Sequence, residues 1–86
     1  MKIEDQDFIS LMEKNKSLLL FEAHYLLRDT EAAKIMVEET FKRLYRHWKI
    51  LKEHKGNNFT NLENYLFYAI WIDCLEYVFQ EKCRMN

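Results

Sequence analysis

The side chains in this 86-residue chain best suited to chemistry are three histidines, two cysteines and one adjacent pair of glutamates. Their spacing argues against a catalytic or metal centre. His24, His47 and His54 form no H-E-x-x-H pattern and no paired metal spacing. Cys74 and Cys83 lie nine residues apart, unlike the C-x-x-C of a zinc or redox site, and read as two reduced thiols on a helix. Glu38 and Glu39 are neighbours, so on a helix they point about 100° apart and do not face each other as an acid–base pair would. Gly56 is the only glycine, which excludes a phosphate-cradling glycine loop. An enzyme is therefore the least expected class, and no metal or cofactor is expected. The chemistry left to the chain is recognition of another macromolecule.

The charge distribution points the same way. The net charge is −1, but residues 42–55 hold six Lys or Arg against one acid, while 1–41 and 56–86 are both acidic. A basic stretch in a near-neutral chain fits an anionic partner such as nucleic-acid phosphate, or a solvated helix face. The start is acidic (Glu4, Asp5, Asp7) and unlike a signal peptide. The longest apolar run, Tyr65 to Ile72, is far shorter than the roughly 18 residues of a membrane span. A cytoplasmic protein with no membrane span is expected.

These residues must be positioned by helices. There is no proline, and strand-rich folds of this size need more turn residues. Length allows one domain, 1–86. A first helical block runs from about Asp5 to Arg28, with apolar stripes Phe8, Leu11, Met12 and Leu18, Leu19, Ala23, Leu26, Leu27. The polar segment 13–17 between them could divide it into two helices. Asp29 or Thr30 can cap the next helix. That helix is expected from Glu31 to Lys52, on the core stripe Ala33, Val37, Phe41, Leu44, Trp48, Leu51. Thr60-Asn61-Leu62-Glu63 is a capping box that starts a last helix running to about Glu81. The fold class is all-α, a small three- to four-helix bundle.

Two faces stand out. Ile35, Glu38, Glu39, Lys42 and Arg46 share the outer side of the middle helix, an apolar residue among charges. In the last helix thirteen of the fifteen residues from Tyr65 to Phe79 are apolar, far more than one buried stripe requires. That helix is either central and walled on several sides, or it leaves aromatic surface for a protein partner or for stacked bases.

The stretch Leu26-Leu27-Arg28-Asp29-Thr30-Glu31-Ala32-Ala33-Lys34-Ile35-Met36-Val37-Glu38-Glu39-Thr40-Phe41-Lys42-Arg43-Leu44-Tyr45-Arg46-His47-Trp48 resembles region 2 of bacterial RNA polymerase sigma factors of the extracytoplasmic-function group. The resemblance continues from Phe59 to Tyr77, with Phe59, Tyr65, Leu66 and Tyr77 in register, and so covers nearly the whole chain. It implies a transcription initiation domain that docks on the β′ clamp helices of core RNA polymerase and contributes to recognition and melting of the −10 promoter element. The implied polymerase-binding residues are Ile35, Glu38, Glu39, Phe41, Lys42, Tyr45 and Arg46, with Ile35 standing where the family has Asp. The implied promoter-DNA residues are Lys49, Lys52, Lys55, Asn57, Asn58, Phe59, Tyr68 and Trp71, supplying charge for phosphates, amides for base edges and rings for stacking. An anti-sigma regulator is a further implied partner.

Family Arg and Asn positions in the last helix fall on Tyr68, Trp71, Ile72 and Phe79, so DNA binding by this domain alone is expected to be weak. The family's second DNA-binding domain is not in the chain, as expected of a fragment or of a stand-alone, degenerate relative. Two other readings stay open. One is a sigma-like interaction module that binds polymerase, another sigma subunit or a regulator without reading DNA. The other is a helical dimer built on the aromatic helix.

Overall fold

Asp5 starts the first helix for a local reason. Its extended backbone and a carboxylate accepting from the Phe8 amide at 3.1 Å satisfy one of the orphan N–H groups of the first turn. The computed structural model describes residues 3–55 and 59–84, and the side chains of 3–53 and 62–81. Four helices follow one another: α1 (Gln6–Leu27), α2 (Thr30–Arg46), α3 (Trp48–Lys55) and α4 (Phe59–Arg84). Among the described residues there is no strand, so the fold is the all-α bundle expected.

The polar segment 13–17 does not divide α1. Asn15 is buried, and its amide donates to the Leu11 carbonyl at 2.9 Å, so the polar group is satisfied inside the helix. Leu18 does not join Leu19 in the core. The inward line is Phe8, Leu11, Asn15, Leu19, Ala23, and Leu18 lies one step round from it, half exposed.

The corner after α1 is closed by Arg28 rather than glycine. Arg28 sits in the left-handed region (φ 58°, ψ 26°), which costs a residue with a Cβ about 1–2 kcal/mol. Its N–H bonds to the His24 carbonyl at 2.8 Å, its Nε donates to the Tyr25 carbonyl at 3.2 Å, and its guanidinium lies 5.6 Å from the Tyr25 ring centre. Those contacts offset the strain. Asp29 is the cap of α2, its carboxylate accepting from the Ala32 amide at 3.1 Å.

The expected single middle helix is two. α2 ends at Arg46, and the His47 N–H bonds back to Leu44 and Tyr45 carbonyls in a tightened last turn. The kink lets Trp48 turn onto Phe8, ring centres 5.0 Å apart and edge to face. Phe8 also meets Tyr45 at 5.0 Å and Phe41 at 6.2 Å. It is 1% exposed and pins the start of α1 to the α2–α3 junction. Truncating such a side chain costs about 3–5 kcal/mol, a large share of the stability of a domain this small.

α4 lies across the α1–α2 pair and buries Leu62, Leu66, Ala69, Ile70, Asp73 and Cys74. Its helix begins one residue before the expected Thr60 and extends past Glu81 to Arg84. Of the two capping-box side chains, Thr60 lies outside those described, and Glu63 reaches Lys14 of α1 at 3.5 Å.

Candidate functional site

The outer side of α2 is set by its inner side. With Ala33, Val37, Thr40, Phe41 and Leu44 buried, Ile35, Glu38, Glu39 and Arg46 must face solvent. Ile35 is 59% exposed, a branched apolar side chain in water. Lys42 is shared between two acids, 3.2 Å from Glu38 and 3.9 Å from Glu39, both one helical turn away. The patch therefore presents an apolar contact beside a net-negative cluster, with the exposed Arg46 one turn further on.

Two residues of the expected polymerase set point elsewhere. Phe41 is buried against Phe8 and holds α2 in place from beneath. The Tyr45 ring also packs on Phe8, and its hydroxyl accepts from the Glu4 amide at 3.2 Å, so Tyr45 tethers the segment before α1. Sequence reading missed a groove alongside. Between α1 and α2 a hollow of about 660 Å³ has apolar walls of Ile3, Met12, Leu20, Val37 and Phe41, and its charged lining is mixed, Lys16, Lys34 and Lys42 with Glu13 and Glu38. Met12 and Leu20 flank the α1 core line, which is the only signal of it in the sequence.

The residues expected to meet DNA separate into three groups. Lys49 is exposed on α3. Lys52 is held at home: its ammonium lies 2.9 Å from Asp7, 3.5 Å from Asp5, and 5.8 Å from the Trp48 ring centre. The Asp7 bond raises the Lys52 pKa, and the charges of Asp5 and Asp7 add to it against a desolvation penalty. Burial pushes the Asp5 carboxyl up, but the Phe8 amide, the Trp48 indole and Lys52 outweigh it and hold the pKa below the ordinary value. Among the described residues the buried Trp48 Nε1 makes no full hydrogen bond, although it lies near enough to the Asp5 carboxylate to lower its pKa. Lys55 and Phe59 lie in α3 and α4 with side chains outside those described, and Asn57 and Asn58 lie outside the described residues. Tyr68 and Trp71 stand on the outer side of α4, 66% and 40% exposed.

A buried polar link fixes how α4 presents that side. Asp73 is 7% exposed and accepts from the Thr40 hydroxyl and from the Arg43 guanidinium, each at 2.6 Å. Bonds to a carboxylate at this length are charge-assisted. They lock α4 to α2 in one rotation, the one that turns Tyr68, Trp71, Leu75 and Phe79 outward. Beside the link a groove of about 280 Å³ is lined by Met36, Glu39, Arg43, Arg46, Glu76 and Tyr77.

Among the described residues no three His, Cys, Asp or Glu side chains gather where a metal ion could be held. No described helix is long and apolar enough to cross a membrane. Cys74 is buried, its thiol pushed up to about 11 by burial and by the neighbouring Asp73 charge. Compared with known proteins, the chain matches no family model, and no curated sequence and no solved structure is significantly similar to it.

Proposed function

We propose that this chain is a sigma-factor region 2-like domain of transcription initiation, which docks on the β′ clamp helices of core RNA polymerase through the outer face of α2 and contributes to −10 promoter recognition. The observation that carries the reading is the α2 face itself. The segment that resembles the family's clamp-binding motif displays Ile35, Glu38, Glu39, Lys42 and Arg46 on one open side, mixed apolar and charged as docking faces are. Exposed Tyr68 and Trp71 support the second half of the reading, since open rings are what unstacked bases pack on.

One observation favours a second reading, an interaction module that binds polymerase, another sigma subunit or a regulator and does not read DNA. Lys52, a basic residue of the expected DNA set, is already neutralised by Asp5 and Asp7. The outer side of α4 shows rings and aliphatics where phosphate binding needs cations.

Titration against the isolated β′ clamp coiled coil, then single-stranded −10 DNA, distinguishes them. Clamp binding with added DNA affinity supports the first reading, and clamp binding alone supports the second. Glu39→Ala, an exposed change outside the core, is expected to weaken clamp binding. A folded domain that ignores the clamp, or a Glu39→Ala variant that binds it unchanged, overturns the docking assignment.

A further inference from the structure

We infer that the outer stripe of α4 is a self-association surface, on which a second copy of this chain packs its own α4. The inner side of the helix is fully used by Leu62, Leu66, Ala69, Ile70 and Cys74, all buried. Yet the opposite side is apolar as well: Tyr68 is 66% exposed, Leu75 52%, Phe79 68%, and Ile72 and Trp71 above a third. One core cannot use both sides of a helix.

The spacing of the outer stripe specifies its partner. Tyr65, Tyr68, Ile72, Leu75 and Phe79 recur at intervals of three, four, three and four, the a and d positions of two heptads. That repeat is a seam for another helix, and none of its five positions carries a charge. The stripe has a ring at each end, Tyr65 and Phe79, and Ile72 at its centre. Laid antiparallel on itself about Ile72, it brings Tyr65 near Phe79, Tyr68 near Leu75 and Ile72 near its own copy, apolar against apolar throughout, with the two helix dipoles opposed.

The open area suits a weak dimer. At the ~150–250 Å² that an aromatic side chain covers, Tyr68 and Phe79 each leave roughly 100–150 Å² in water, and the stripe leaves roughly 500 Å². Two copies would bury on the order of 1,000 Å², the lower bound of a specific interface, so a weak dimer that forms with rising concentration is expected. The inference stands whether or not the polymerase reading does. Because Tyr68 and Trp71 belong to this face, pairing and contact with nucleic acid exclude one another.

Sedimentation equilibrium of the full chain at neutral pH, from micromolar to near-millimolar, tests it. The mass is expected to rise from 10.6 kDa toward twice that value. The double variant Leu75→Lys/Phe79→Lys places two cations in the seam and is expected to weaken pairing by at least ~100-fold with helicity unchanged. Should it lose helicity, Leu75→Gln alone, at a half-exposed position, replaces it. A wild-type chain that stays at 10.6 kDa throughout overturns the inference, as do folded variants that still pair. A monomer whose Trp71 emission, read in a Trp48→Phe background, responds to single-stranded DNA but not to its own concentration assigns the stripe to bases and overturns it too.

Discussion

Replacing Thr40 by Val removes one hydroxyl and almost no volume, and it should be costly. The Thr40 hydroxyl has one proton and two acceptors in reach, the Asp73 carboxylate at 2.6 Å and the Met36 carbonyl at 2.8 Å. The shorter bond, to a charged group, takes the larger share. With Thr40 at 1% and Asp73 at 7% exposure, water cannot replace the lost donor. A hydrogen bond to a buried charge contributes about 1.5–3 kcal/mol. Arg43 keeps its bond to the other carboxylate oxygen, but its side chain is 48% exposed and its pull is screened, so it does not make up the loss. A deficit of about 1.5–3 kcal/mol lowers the melting temperature by roughly 6–24 °C in a domain of this size. The assay is urea unfolding followed by far-ultraviolet circular dichroism, on Thr40→Val, Asp73→Ala and the double variant. Removing both partners leaves Arg43 to solvent and no stranded carboxylate, so the double should cost less than the sum by at least ~1 kcal/mol. A Thr40→Val cost below ~0.5 kcal/mol, or a strictly additive cycle, would refute the argument that this hydroxyl stabilises the buried charge.

Asp5→Ala removes the α1 cap and both anchors of that carboxylate on Lys52 and Phe8, and should cost about 0.5–2 kcal/mol by the same assay. Because the Asp5 pKa lies below its ordinary 3.8, the charged form's stabilisation is complete above that value and lost as pH falls through the folded one. Asp5→Asn keeps a cap without this titration, and its stability difference from the parent chain should shrink toward pH 3; an unchanged difference contradicts the account. Cys74 behaves oppositely: its folded thiol stays protonated to about 11 while the unfolded one ionises near 9.0, so stability should fall as pH rises through that window. In a Cys83→Ser chain, iodoacetamide at pH 8 should reach Cys74 only at the rate of global opening, and rapid labelling of the native state would show that it is not shielded.

Much of the fold could be read from spacing. Ala33, Val37, Phe41, Leu44 and Trp48 are all buried, as their three- and four-residue intervals require. The break at His47 left no trace because the apolar phase carries through it from Leu44 to Trp48, and no glycine or proline marks it. The orientation of α4 was not legible for a different reason. A helix apolar on nearly every side has no single stripe that marks its inner face, and its rotation is decided by Asp73, whose partners lie thirty-three and thirty residues away on α2. Nothing in the spacing of Thr40 and Arg43 marks them as partners of a carboxylate on another helix. The α2 face was readable as an apolar residue among charges, whereas the commitment of Lys52 to Asp5 and Asp7, nearly fifty residues distant, was not.

The corner at Arg28 and Asp29 also orders events in time. Closing a two-residue connection costs little chain entropy, so α1 and α2 meet early, before any contact that needs α4. The α4 partnerships Lys14–Glu63 and Thr40–Asp73 close loops of 49 and 33 residues and are formed late. Interactions absent from the transition state govern how fast a native chain comes apart rather than how fast it assembles. The helix that carries the open aromatic stripe is thus the last to dock and the first to leave. During synthesis, the hairpin of α1 and α2 is therefore expected to form before α4 seats itself upon it.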